Sequence, residues 1–401
     1  WGLELVKRLG LGAELMQTNP ACRRTFVMRK RRLYPLPDGF LMMAPTKMWP
    51  MAVTPVLSPL GKLRAGFEYF LPPSRDDRDE SMAAFVRRRL GREVFERLVE
   101  PLVSGVYAAD MEKLSLLATL PRFREMERKH GSLIRAMRKQ MQAARAAGRH
   151  VDQSGARYSM FVTLQRGLSS LIDALAARLP KAAVRLGTNV VRVEPSGGGW
   201  RVETGEGRSD RFDALILATP SHVAAGLLKP VAAELSGDLA GIEHEGTAIV
   251  TMAFEASQVK HPMHGAGFVV PSIEGSPILA GSFSSRKYTH RAPEGKTLIR
   301  TFVGGARAPE MAEMPDAELV PLVLEELREV LGISGGPIYQ VTAHWPRTMP
   351  QYHVGHLDLA ARIERRCGAL AGLALAGNAY GGVGIPACIH SGEQAAAKLL
   401  G

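Results

Sequence analysis

One stretch near the C-terminus restricts the fold more than any other. Leu373-Ala-Leu-Ala-Gly377 reads as a short buried strand, Asn378 to Ile385 is rich in glycine, and Pro386 to Leu400 reads as a helix. A strand, a glycine turn and a helix in that order can hold an anionic cofactor. Pro386 suits the first helical turn, where its missing N–H costs nothing. The helix start turns unpaired N–H groups and a partial positive charge toward the turn, and Gly382 and Gly384 let a ligand approach the backbone closely. A tight turn ahead of a packed helix would have the same pattern, so the segment alone leaves both readings open.

The rest of the chain reads as mixed α/β. Thr25-Phe-Val-Met and Arg32-Leu-Tyr flank Arg29-Lys30-Arg31 and predict a basic-tipped hairpin. From Leu41 to about Arg145 the pattern is helical, with Phe85, Leu90, Val94, Leu98 and Leu102 at spacings of four or five and Arg87, Arg88, Arg89 and Arg92 between them. Strands are expected at Ala183–Leu186, Val190–Glu194, Trp200–Val202 and Ala214–Ala218, with Ser196-Gly-Gly-Gly199 as a turn, and again at Ala248–Phe254, Gly267–Val270, Ile278–Phe283 and Leu298–Val303. A helix capped by Asp316 carries Leu319, Leu322, Val323, Leu327 and Val330 on one face. Asp213-Ala-Leu-Ile-Leu-Ala-Thr219-Pro220 is an apolar strand ending in small residues; it reads either as the edge that approaches a dinucleotide or as a plain buried strand.

Several function classes fall away. At 401 residues the chain exceeds the roughly 250–300 at which a single core stops growing, so more than one domain is expected. Cys22, Cys367 and Cys388 are too scattered for a disulfide framework or a metal cluster. His344, His353 and His356 lack the cysteine or carboxylate company of a metal site. There is no Gly-x-Ser-x-Gly elbow and no Cys-x-x-Cys. No apolar run is long enough to span a bilayer. The formal charge of +12 favours anionic partners without choosing among them. Gly10-Leu-Gly12 fails as a dinucleotide fingerprint because Leu15 stands at the third glycine position. No complete fingerprint occurs elsewhere, so the pyrophosphate-binding unit of a dinucleotide site is expected upstream of Trp1.

Three segments, taken together and in order, carry a family resemblance. They are Glu100-Pro-Leu-Val-Ser-Gly-Val-Tyr-Ala-Ala-Asp110 running on through Lys113-Leu-Ser-Leu116, Met349-Pro-Gln-Tyr-His-Val-Gly-His356, and Gly377-Asn-Ala-Tyr-Gly-Gly-Val-Gly-Ile-Pro386. With Leu36-Pro-Asp-Gly39 and Pro271-Ser272, the chain resembles the oxygen-dependent protoporphyrinogen and coproporphyrinogen oxidases of the flavin amine oxidase superfamily. The resemblance implies an α/β FAD/NAD(P)-binding fold of the p-hydroxybenzoate-hydroxylase type, a mixed-sheet substrate domain and an inserted helical domain. The expected order is substrate-domain hairpin at 1–40, helical membrane-association region at 41–150, FAD segment at 151–240, substrate sheet at 241–345 and closing FAD segment at 346–401.

The resemblance also implies FAD as cofactor, with Val190 at the adenine end and Gly382, Val383, Gly384, Ile385 and Trp345 toward the flavin. Leu102, Gly105, Val269 and Phe302 match the family's substrate positions. No acid–base residue is assigned. The implied substrate is a porphyrinogen and the acceptor molecular oxygen, in a cytoplasmic protein or one peripheral to the inner face of the cell membrane; an oligomer is compatible with this, and no nucleic acid is implied. The family usually has acidic residues where Gly381 and Ala387 stand. Two rivals remain: another flavin-dependent desaturase or amine oxidase, and a non-catalytic basic protein using Arg87–Arg89 and Arg29–Arg32 on a membrane or nucleic acid. The hairpin arginines have a third reading, as partners of substrate carboxylates.

Overall fold

The computed structural model describes residues 1–146 and 161–401. The chain forms two compact units, one built from Trp1–Met16, Thr163–His244 and Met349–Gly401, the other from Gln17–Val162 and Glu245–Thr348. Residues 147–150 of the expected helical region and 151–160 of the segment after it lie outside the described residues.

In the first unit, strands Leu215–Leu217 and Leu373–Leu375 pair in parallel, Leu215 opposite Leu373 and Leu217 opposite Leu375. A three-stranded antiparallel meander, Val190–Ser196, Gly199–Thr204 and Ser209–Phe212, turns at Gly197 and Gly198, both at positive φ. Trp200 anchors the core with Val193, Leu217, Leu228, Leu239, Ile363 and Leu373, and its indole N–H donates to the Ala371 carbonyl at 3.0 Å. That bond is needed because a buried indole without an acceptor is costly. Helices Gly2–Arg8, Ser169–Ala176, Ser221–Leu228, Ala233–Ala240, His356–Gly368 and Ile385–Leu400 belong to the same unit.

The second unit holds a seven-stranded sheet. Strand His244–Glu255, second from one edge, alternates strictly, with Ala248, Val250, Met252 and Phe254 fully buried and their neighbours half-open. The buried face packs on helix Asp316–Leu331 through Leu319, Val323 and Leu327, each such side chain contributing about 1.5–3 kcal/mol by leaving water. The hairpin forms as expected: Thr25–Arg29 pairs with Arg32–Pro35 around Lys30 and Arg31, both in the left-handed region.

The helical region resolves the odd spacing of its apolar residues by interruption. Helix Met82–Leu90 begins at Ser81, whose hydroxyl accepts from the Ala84 N–H at 3.2 Å, and stops at Gly91, at φ +93°. A short helix Arg92–Val94, a π turn Phe95–Val99 and helix Glu100–Tyr107 follow. The break and the wider π turn bring Phe85, Leu90, Val94, Leu98 and Leu102 all inside, which an unbroken 3.6-residue helix would not do at spacings of four and five.

Three local expectations are corrected. Ala183–Leu186 is not a strand: Lys181–Ala183 is a 3-10 turn and Leu186 is 89% exposed, so the run has no sheet face to bury. Asp316 is the first residue of its helix, not its cap; Pro315 precedes it, and the Asp316 carboxylate accepts from His344 Nε2 at 2.7 Å instead. Leu322 lies on the open side of that helix.

Candidate functional site

The glycine turn of the first unit is shaped by backbone strain and by one tyrosine. Gly377 has φ +129° and donates its N–H to Ser391 Oγ at 3.1 Å. Gly382 has φ +147°, and a Cβ there would lie 2.7 Å from the Ala387 Cβ, so this position accepts no side chain without movement. The Gly382 N–H donates to the Tyr352 hydroxyl at 2.8 Å, and that hydroxyl donates to the Asn378 carbonyl at 2.6 Å. Tyr352 thus clamps both ends of the turn, and the His356 ring stacks on it at 3.9 Å. Helix Ile385–Leu400 starts from Gly384 with Pro386 in its first turn and no side-chain cap, and Val383, Gly384 and Ile385 stay accessible.

Three buried polar atoms without partners belong to the segments that follow the two parallel strands. Beyond Leu217 they are Thr219 Oγ1 and Ser221 Oγ; beyond Leu375 it is the Tyr380 hydroxyl, whose ionisation burial pushes far up. Open α/β sheets bind ligands beyond the C-terminal ends of their strands, and unsatisfied buried polar groups cost about 1–3 kcal/mol each unless a ligand meets them. A cavity of about 580 Å³ adjoins the turn, lined by Leu357, Ala361, Cys367, Leu375, Tyr380 and Gly381. Uncapped helix, side-chain-free glycine and orphan hydroxyls fit the phosphate-bearing flavin cofactor expected here. Val190 packs on the same apolar cluster as Ala379 and Tyr380. Trp345 belongs to the other unit, half-exposed within strand Tyr339–Pro350.

The four substrate candidates all fall in the second unit, and two of them, Val269 and Phe302, share one sheet face. Val269 lies opposite Ala280, Ala280 opposite Phe302, and Phe302 opposite Ile249, so these side chains form a row across four strands. Helix Glu100–Tyr107 packs over this face: a Cβ on Gly105 would lie 3.8 Å from that of Ala280. Leu102, on the same helix, is buried. The helix is moored by Glu100, which accepts from the Ser272 N–H at 3.1 Å and faces Arg307 at 3.6 Å. Burial pushes the Glu100 carboxyl up.

The basic clusters do not form free patches. Arg87 pairs with Glu112, Arg88 with Glu80 and Glu127, and Arg89, 1% exposed, with Glu68. At the hairpin, Arg31 binds Glu326 at 2.5 Å and Arg29 donates to the Pro55 carbonyl. These contacts account for Arg87, Arg88, Arg89, Arg29 and Arg31 structurally, while Arg32 is exposed. Among the described residues, no three of His, Cys, Asp and Glu are grouped to hold a metal. Sequence reasoning missed Tyr352, Glu100 and Ser391; the first two stood within quoted motifs, without the long-range partners that reveal their roles.

Residues 2–400 match the family of flavin containing amine oxidoreductases, and the chain belongs to that family. Its cofactor is FAD. Within the family the chain is similar to coproporphyrinogen III oxidase of Bacillus subtilis (strain 168), 36% identical over 99% of this chain and 83% of that one. It is 32% identical to the chloroplastic protoporphyrinogen oxidase of Nicotiana tabacum, over 98% of this chain and 73% of the relative. A crystal structure from Exiguobacterium sp. 255-15, provisionally named a protoporphyrinogen oxidase, superposes with a TM-score of 0.86 at 30% identity, covering 99% of this chain and 84% of that one.

Proposed function

We propose that this enzyme oxidises a porphyrinogen, coproporphyrinogen III or protoporphyrinogen IX, to the porphyrin in haem biosynthesis, with oxygen as acceptor and hydrogen peroxide as product. The observation that carries the reading is the apolar row Val269, Ala280, Phe302 and Ile249 under Leu102 and Gly105, a flat platform that suits a macrocycle. FAD, when bound, supplies a hydride acceptor for the bridging carbon and a reduced flavin that oxygen reoxidises. The protein positions and shields. Gly382, Val383, Gly384 and Ile385 serve the flavin end, Val190 the adenine end, and Trp345 is the position that family resemblance gives to the ring. Gly105 lets the helix come close to the row at Ala280, and the row keeps water from the macrocycle face. The test is to load the protein with FAD and follow porphyrin fluorescence with each porphyrinogen. Growth well above the spontaneous rate is expected; none with either substrate refutes the assignment.

A peripheral membrane contact is part of this proposal. Leu60, Leu63 and Phe67 share one face of helix Pro59–Phe67, each at least 55% exposed, and Trp49 and Phe70 extend the apolar surface. Lys62 lies on the same helix, which suits an anionic lipid surface, whereas Arg64 donates to the carbonyls of Arg87, Arg88 and Arg89. No described helix is long and apolar enough to cross a membrane. Leu63→Glu with Phe67→Glu should abolish co-sedimentation with vesicles containing anionic lipid while leaving flavin content unchanged. Undiminished sedimentation would remove this surface from the proposal.

A further inference from the structure

The platform is apolar, yet a porphyrinogen carries carboxylates on short arms at its rim, and these need polar partners. The next rung of the same sheet face supplies one. Arg300 lies opposite Thr251 and Ser282, on the same side as Phe302 and about 7 Å along the strand from it. Three other arginines of this unit are occupied by acids, Arg307 by Glu100, Arg97 by Glu274 and Arg31 by Glu326. Arg300 is exposed and has no acidic partner among the described residues.

A second cation stands beside it. Lys287 ends the short helix Ser284–Lys287, half-buried, with its ammonium 5.7 Å from the centre of the Phe161 ring and 5.6 Å from that of Tyr288. Burial, and then the charge of Arg300, push the Lys287 amine below its ordinary range. Two like charges held close together favour an anion between them. The guanidinium fork matches a carboxylate in two parallel hydrogen bonds, which an ammonium does not.

We propose that Arg300, with Lys287 beside it, anchors a carboxylate of the substrate while the macrocycle lies on the Phe302–Val269 row; this rests on the porphyrinogen reading. The separation of one rung places the cation at the platform's edge, where a short carboxylate arm on the rim would arrive. Arg300 then fixes the rotation of the ring in its own plane and so decides which bridging carbon is presented. Substrates with more rim carboxylates have more orientations that satisfy it, and uncharged esters have none.

The experiment uses FAD-loaded wild type, Arg300→Gln and Arg300→Lys. KM and kcat are measured for coproporphyrinogen III, and the Kd for coproporphyrin III and for its tetramethyl ester by fluorescence quenching. Arg300→Gln should raise both KM and Kd for the acid about tenfold or more. Arg300→Lys should recover part of the loss. The ester should bind wild type and variants alike. Unchanged Kd for the acid, or an equal loss for acid and ester, overturns the anchor. If wild type oxidises neither porphyrinogen, the substrate reading fails on its own, and the acid-to-ester difference in Kd still decides whether Arg300 is an anion site.

Discussion

Replacing Glu68 by glutamine tests whether the helical region is held by a single buried carboxylate. Glu68 is fully buried and accepts from Arg89, from Ser132 Oγ at 2.7 Å, and from the backbone N–H groups of Leu133 and Ile134 at 2.8 and 3.2 Å. It therefore caps helix Leu133–Ala146 and neutralises Arg89 together. The amide keeps the volume but removes the charge and turns an NH2 group toward one set of donors. Breaking one side of a buried pair costs about 3–5 kcal/mol. Arg89 retains the Pro72 and Gly131 carbonyls, both at 2.8 Å, and Glu127 at 3.5 Å, which places the expected loss near the lower end. At about 2–4 °C per kcal/mol for a unit of this size, the melting transition should fall by roughly 6–12 °C. Hydrogen exchange should show the Leu133 and Ile134 amides losing protection before the sheet does. In a double-mutant cycle, Glu68→Gln with Arg89→Met should lose less stability than the two single variants added together, because the second change removes the charge that the first strands. A Glu68→Gln variant within about 0.5 kcal/mol of wild type, or losses that simply add, would refute the reasoning.

Tyr352→Phe removes the hydroxyl that joins Gly382 to Asn378 and deletes two hydrogen bonds of about 0.5–1.5 kcal/mol each. FAD affinity, read by flavin fluorescence on titration, should fall roughly 5- to 100-fold with the circular dichroism spectrum unchanged; equal affinity would show that the clamp does not shape the turn. His344 should titrate above 6.5, chiefly because it hydrogen-bonds the Asp316 carboxylate and secondarily because it meets the Ala312 carbonyl. A folded-state pKa above the unfolded one means that the stabilisation is complete below about pH 6.5 and fades as pH rises through the folded value. In an NMR titration Asp316→Asn should bring the midpoint back toward 6.5, and a wild-type midpoint at or below 6.5 would contradict the pairing.

What the sequence discloses here depends on whether the physical cause is local. The glycine turn was legible because its determinants are neighbours: an apolar triplet, glycines at positive φ and Pro386 in the first helical turn. The strand around Ala248–Phe254 was legible for the same reason, since alternation with period two records one buried face. Ala183–Leu186 carries a similar apolar signal and still forms no strand, because propensity does not supply a partner. Distance in the chain hid the rest. Glu68, Arg89 and Glu127 come from three separate helical segments, and nothing in any one of them marks it as one corner of a buried network. Tyr352 sits in a motif legible as a family signature, but its work is done on Gly382, thirty residues later. The substrate row makes the point most sharply. Val269, Ala280 and Phe302 share a face only through the register of three strands, and a shift of one residue would turn each to the opposite side. Arg300 shows why this matters for function. Arg300 shares the side of Phe302 by alternation within one strand, which is local, and only the register that sets Phe302 opposite Ala280, and Ala280 opposite Val269, puts it at the edge of that row.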